Sequence, residues 1–303
     1  MKKVINFMGI RHVAFAVTVV LTLISLGSLA IKGLNFGLDF TGGTLIELSY
    51  QKPADQQQVK AQLAQAGFAD AVVQSFGATT DLLVRMPGDD PLLGNQVADA
   101  LLKADSANPA TVKRVEFVGP AVGEELRDQG GLGMLLALGG ILLYVAFRFQ
   151  WKFGFGAIVS LIHDVIVTLG VFSFFQISFD LTVLAAVLAV IGYSLNDTIV
   201  IFDRIRENFR MLRKAELLEN INISTTQTLL RTMATSVSTL LAVGALMVFG
   251  GENLWGFSLA LLIGVGVGTY SSVYVAGTLL VWLKLTRDDL IPPVVEEEAD
   301  ERP

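Results

Sequence analysis

The stretch "IGYSLNDTIVIFDRIREN", residues 191–208, sets Asn196 and Asp197 side by side in a run where Asp197 is the only charge between Leu181 and Phe202. An ionised carboxylate at mid-membrane depth costs about 2.5–3.5 kcal/mol on insertion scales, so it faces a polar interior and needs a charge, a polar side chain or water beside it. Asn196, with Ser194 and Thr198, is expected to form a polar sector around Asp197. Two further groups share that setting: His163 and Asp164 in "SLIHDVIVTLG", and Arg231 in "LLRTMATSVSTLL". Asp197 reads as a hydrogen-bonded packing element or as a proton carrier, and the cost of its charge favours the carrier. Arg231 is either its counter-charge at compatible depth or a snorkelling anchor. His163 and Asp164 are either satisfied polar structure or a second ionisable site.

Moving a helix toward or away from Arg231 would change the proton affinity of a carboxylate beside it. One proton crossing the membrane potential supplies about 2.3 kcal/mol per 100 mV, enough to bias a modestly bistable bundle. The sequence has no G-x-x-x-x-G-K-[ST] phosphate loop, so an ion gradient is the expected energy source. With no cysteine it has no thiol nucleophile and no thiolate metal site. No enzyme activity, cofactor or metal is expected.

The elements that must hold these residues are membrane helices. The chain has 303 residues, 52% hydrophobic and 17% charged, a balance far from that of a soluble domain. Six apolar runs approach or exceed the roughly 20 residues a spanning helix needs. They lie near 13–31, 132–149, 153–174, 181–202, 232–250 and 257–283. The first, after "MKK", resembles a signal peptide but exceeds the usual apolar core, which points to an uncleaved anchor. Lys2, Lys3 and Arg11 precede span one, Arg148 and Lys152 bracket the next turn, and Arg204, Arg206, Arg210, Arg213 and Lys214 crowd the loop after span four. "FFQISFD" and "GGENLW" carry no Lys or Arg. Under the positive-inside rule both termini are cytoplasmic and the segment between spans one and two lies outside. Span six carries Gly264, Gly268, Ser271 and Ser272 as a small face for close helix packing. The basic residues are scattered, so no nucleic-acid partner is expected. The contacts with membrane lipid are those of a multi-pass protein.

Residues 33–131 hold most of the polar sequence. "GTLIELSY", "AVVQSF", "LLVRMP" and "TVKRVEFVG" read as strands, with "GATTD" as a turn. "ADQQQVKAQLAQAG" and "PLLGNQVADALLKAD" read as helices. The order β-α-β-β-α-β is that of an α+β ferredoxin-like domain. The chain thus divides into 1–32 (terminus and first helix), 33–131 (insert), 132–285 (helices two to six) and 286–303 (an acidic tail whose end, "VVEEEADERP", reads as solvated and disordered). At the junction "NFGLDFTGGTLIEL", Gly42 and Gly43 suit a tight turn from helix to strand, with Asp39 as its cap.

The stretches "GLDFTGG", "VGPAVGEELRDQG", "RFQWKFGFGAIVSLIHDV", "IGYSLNDTIVIFDRIREN", "TQTLLRTMATSVSTLLAV" and "GFSLALLIGVGVGTYSSVYVA" together resemble the SecF family of bacterial preprotein-translocase subunits, within the resistance-nodulation-division superfamily. That resemblance implies a multi-pass inner-membrane protein of six transmembrane helices with a periplasmic domain between the first two. It implies a heteromeric partner, SecD, and joint work with SecYEG and the accessory subunit YajC on unfolded preproteins, driven by proton-motive force. It assigns the proton-path carboxylate to Asp197 and its arginine to Arg231, and matches Asp39 to the junction aspartate. Two other readings stand beside it: half of a proton-driven exporter of small molecules or lipids, and an assembly factor whose buried charges only stabilise.

Overall fold

The computed structural model describes residues 4–286 apart from 77, 105–107 and 213–214, together with residue 289. The expected tail, 286–303, falls almost wholly outside the described residues, as do Arg213 and Lys214. The first span is α1 (Arg11–Lys32), entered through a 3-10 turn over Phe7–Ile10. Then come β1 (Asn35–Phe36), the single-turn helix α2 (Leu38–Thr41), β2 (Gly43–Tyr50), α3 (Gln56–Gln65), β3 (Val72–Phe76), β4 (Ala78–Met86), α4 (Leu93–Ala104) and β5 (Ala110–Val118). The bundle follows as α5 (Pro120–Arg148), α6 (Trp151–Phe175), a short β6 (Ser178–Phe179), α7 (Leu181–Met211) and α8 (Leu217–Phe249). The last span is α9 (Trp255–Ser271), a π turn over Ser272–Ala276, and α10 (Gly277–Trp282). Among the described residues, six helical segments are thereby long and apolar enough to cross a membrane.

The insert forms an antiparallel sheet in the order β3-β4-β2-β5, with Leu48 opposite Leu82 and Ile46 opposite Val84. One face of this split-βαβ layout packs on α3 and α4, burying Ile46, Leu48, Leu82 and Val84 against Val59, Leu63, Val97 and Leu101. Asp55 starts α3 by accepting the Gln57 amide at 2.8 Å. The expected turn at 77–81 is shorter than the sequence suggests. From Ala78 the β-branched Thr79 and Thr80 extend β4, and Asp81 already pairs opposite Ser49.

Two helices are longer than their apolar runs. α5 begins at Pro120, twelve residues before the expected start at 132, because Gly119 and a first-turn proline open it and nothing breaks the charged entry "GEELRDQ". α8 begins at Leu217, where a polar face of Asn220, Ser224 and Thr228 packs inward and is buried. Two apolar cores stack along the bundle. Phe153, Phe202, Ile205 and Ile221 fill the end away from the insert. Phe172, Phe179, Val183 and Val187 fill the end beneath it. The buried polar residues of α6, α7 and α9 lie where the two meet.

Candidate functional site

On α7, Ser194, Asp197 and Thr198 fall at i, i+3 and i+4, so one helix face carries all three, and all are buried. Asn196 is exposed on the outward face, about 100° around the helix from Asp197. It therefore stands apart from the polar sector expected of it, since adjacent helical residues do not share a face.

α9 supplies the opposite wall. A Cβ on Gly264 would sit 2.1 Å from a Val190 methyl, and one on Gly268 would sit 3.0 Å from the Ser194 Cβ. Only glycine permits that approach, and it brings Ser271 and Ser272 to the centre. The π turn that begins at Ser272 marks where the regular helix is interrupted. Ser272 reaches Thr198 at 3.2 Å, and Ser271 donates to Asp164 at 2.7 Å.

Asp164 is fully enclosed and fully served. Its Oδ1 meets His163 Nδ1 at 2.9 Å, and its Oδ2 accepts from Ser271 and from Ser194. Ser160 donates to Ser271 at 3.0 Å, which closes a four-residue network with Asp164 and Ser194. His163 is 4% exposed and its Nε2 has no partner.

Asp197 is placed differently. It is 2% exposed, and its Oδ2 has no hydrogen-bond partner. From α8 the Ser236 hydroxyl and, at longer range, the Arg231 guanidinium act on it. Ser236 is itself held by Thr269 at 2.8 Å and by the Tyr193 hydroxyl at 3.3 Å. Arg231 is exposed on α8 and closes no ion pair with Asp197. Sixteen residues of α7 separate Asp197 from its insert-side end at Leu181, or about 24 Å; eighteen residues of α8 separate Arg231 from Phe249, or about 27 Å. The two groups thus share a depth, toward the bundle end away from the insert, without touching.

The insert is tied to this machinery through α7. Asp39 Oδ2 accepts the Leu181 amide at 3.0 Å, and Asp180 accepts the Val183 amide at 2.9 Å, so two carboxylates hold the first turn of the helix that carries Asp197. The sequence suggested that Asp39 caps its own turn; it caps a helix 142 positions away. Gly42 (φ +65°) and Gly43 (φ +107°) make the turn. Side chains there would meet Pro120 Cα at 2.7 Å and the Met86 carbonyl at 2.4 Å. β1 pairs in parallel with β6, and Arg85 of β4 donates to the Phe36 carbonyl at 2.7 Å. Burial at that contact pulls the Arg85 pKa below its ordinary value. Arg114 of β5 reaches Asn253, between α8 and α9, at 2.6 Å.

Sequence reasoning did not single out Ser160, Ser236 or Thr269. Hydroxyls are common in spanning helices, and only the packing register selects these. Among the described residues no group of three or more His, Cys, Asp or Glu is arranged to hold a metal ion.

Comparison with known proteins adds independent findings. The profile described as "Protein export membrane protein SecD/SecF, C-terminal" matches residues 97–286, and that of the "SecD/SecF GG Motif" matches residues 27–54, the span containing Asp39, Gly42 and Gly43. The chain is 71% identical to the protein translocase subunit SecF of Pseudomonas aeruginosa over 99% of its own length and 98% of that protein. It is 50% identical to the SecF of Vibrio alginolyticus over 99% of its length and 96% of that protein. A crystal structure of SecDF, a translocon-associated membrane protein from Thermus thermophilus, superposes with a TM-score of 0.84 at 40% identity, covering 93% of this chain. The chain spans 39% of that solved SecDF chain. With both profiles matched in order and near full-length identity to SecF subunits, the chain belongs to the SecF branch of the SecD/SecF family of protein export membrane proteins.

Proposed function

We propose that the chain is an auxiliary, non-enzymatic subunit of the Sec export machinery. With SecD it uses proton-motive force to drive late steps of preprotein translocation through SecYEG, with YajC as an accessory subunit. Its place is the bacterial inner membrane, with both termini cytoplasmic and the insert periplasmic, in line with the distribution of Lys and Arg over the short loops.

The observation that carries this reading is Asp197, a carboxylate enclosed at membrane depth with one oxygen unpartnered. Buried groups of this kind are costly and mark ion pathways. A merely structural acid looks like Asp164, with every oxygen occupied. The exposed Arg231 supports a heteromeric partner, because a guanidinium facing lipid at that depth is unfavourable and a neighbouring subunit can shield it. The solved SecDF chain, longer than this one by the length of a second unit, supports SecD as that neighbour.

In this reading Asp197 takes up and releases a proton as α7 and α8 shift, and the Asp39 cap passes the movement of α7 to the insert. Depletion of the protein, followed by a pulse-chase of exported proteins with and without an uncoupler, tests the assignment. Precursors are expected to accumulate on depletion, and the uncoupler is expected to add little further delay. Export at the normal rate in depleted cells would contradict it.

A further inference from the structure

The sheet of the insert ends in β5 on one side and in β3 on the other, and the two edges differ. β5 is guarded. It carries Lys113, Arg114 and Glu116, and its register against β2 slips between Glu47 and Leu48, where β5 holds one extra residue. Charges and bulges of this kind keep an edge strand from adding another chain.

β3 has no such guard. From Ala71 to Thr80, "AVVQSFGATT", there is neither a charge nor a proline. Val72 is 49% exposed, Ser75 is exposed, and Val73 packs partly against the core of the insert. The ladder to β4 is regular from Val72 opposite Arg85 to Ser75 opposite Leu82, and shifts only before Phe76, beside the hairpin turn. That ladder serves one side of the strand. Among the described residues no other element hydrogen-bonds to the backbone of Val72–Phe76.

The sheet stands with one end on the bundle. Gly43, Met86 and Val118 lie at that end, next to Pro120 at the start of α5. Val72 pairs there with Arg85, which reaches the Phe36 carbonyl, so β3 runs outward from the bundle over about 14 Å of strand.

An open strand edge specifies its ligand. Its alternating backbone donors and acceptors fit another extended backbone, and main-chain bonds supply affinity without reading sequence. With no charge on the strand, a chain of either sign fits. A second copy does not. In the same membrane its β3 also runs outward, whereas pairing this edge with itself about a two-fold axis needs the strands opposed.

We propose that the outer edge of β3 is a docking strand for an extended, unfolded polypeptide, which joins the insert sheet as a further strand. The identity of that polypeptide as an export client rests on the export reading; the docking itself does not.

The test uses the full chain in lipid nanodiscs and a short fluorescent peptide of alternating threonine and valine. Its counterpart is methylated on every second backbone nitrogen, which removes the donors of one edge and keeps every side chain. The unmodified peptide is expected to bind at least about tenfold more tightly than the methylated one. Val72→Lys with Ser75→Lys, which places a guard on exposed positions of β3, is expected to weaken binding as much. Thr111→Lys, at an exposed position of the guarded β5, is expected to leave it unchanged. Hydrogen exchange at Val72–Phe76 is expected to slow severalfold when the peptide is present. Equal binding of the two peptides, a loss confined to Thr111→Lys, or slowed exchange confined to other strands overturns the proposal. Exchange at Val72–Phe76 already slowed in the chain assembled with SecD, before any peptide is added, gives the edge to the partner and overturns it as well. Binding involves neither a gradient nor Asp197. Backbone-dependent binding at β3 beside normal export in depleted cells would leave the docking strand standing and remove the export reading instead.

Discussion

Two carboxylates lie a few turns apart in one bundle, and their settings predict opposite responses to removal. Asp164→Ala deletes the acceptor for His163, for Ser271 and for Ser194. Hydrogen bonds between membrane helices are worth about 0.6 kcal/mol on average and up to about 1.7, so those from Ser194 and Ser271 sum to roughly 1–3 kcal/mol, and the His163 bond within α6 adds about 0.5–1.5, for roughly 2–5 kcal/mol in all. Ser271 can fall back on the Gly268 carbonyl, already at 3.1 Å, which draws the sum toward the lower half. The insertion cost of the acid does not offset this loss, because it is incurred before the helices pack. Taking about 2–4 °C per kcal/mol, Asp164→Ala is expected to lower the apparent melting temperature of the purified protein by on the order of 10 °C. Asp164→Asn keeps one acceptor and is expected to lose about half as much. Asp197→Asn, by contrast, disturbs an acid with an unpartnered oxygen and is expected to melt within a few degrees of the parent. The assay is a melting scan in detergent followed by tryptophan fluorescence. Equal melting of Asp164→Ala and parent would refute the division of roles, as would a loss for Asp197→Asn as large as that for Asp164→Ala.

Three further outcomes follow from other contacts. Gly43→Ala puts a Cβ 2.4 Å from the Met86 carbonyl at a positive φ and is expected to cost about 1–3 kcal/mol, whereas Gly133→Ala, with open space around it, is expected to be neutral; melting scans of the two separate these. Asp39→Ala removes a cap of α7 and is expected to cost about 0.5–2 kcal/mol and to speed hydrogen exchange at the Leu181 amide, while Asp39→Asn preserves the acceptor and much of the protection. Exchange unchanged in the alanine variant would remove Asp39 from the coupling of α7 to the insert. In the insert, the Ser49 hydroxyl and then Lys113 hold the Asp81 carboxyl below its ordinary value of 3.8, against the upward push of burial. A carboxyl lowered by folding adds stability that is present above its unfolded value and lost as pH falls through the folded one. Unfolding of the insert by denaturant is therefore expected to ease below about pH 4, and less so in Asp81→Asn; identical pH profiles would contradict the assignment.

The spans were legible because membrane helices declare themselves by length and apolar composition, and the insert because its strands and helices keep clean periods. The intramembrane acids were equally visible, since each stands alone in an apolar run. Their environments were not. Nothing in "SLIHDV" says that Ser194 and Ser271 close on Asp164, because that depends on where Gly264 and Gly268 let α9 settle against α7. Asn196 beside Asp197 looked like its partner, yet one helical step turned it outward. The reach of Asp39 to Leu181, and the pairing of β1 with β6, are long-range contacts through two-residue strands and a single turn, too short for any periodicity to announce.

The most direct test of the central claim, that Asp197 is the proton-carrying group, is gradient-dependent export by Asp197→Asn. The amide keeps the size of the side chain and cannot take up and release a proton near neutral pH. Assembled complex and uncoupler-sensitive precursor release are measured in the same cells, so that a loss of protein is not mistaken for a loss of coupling. The account predicts normal insertion and assembly with the uncoupler-sensitive component abolished. Full gradient-dependent export from stably assembled Asp197→Asn would contradict it.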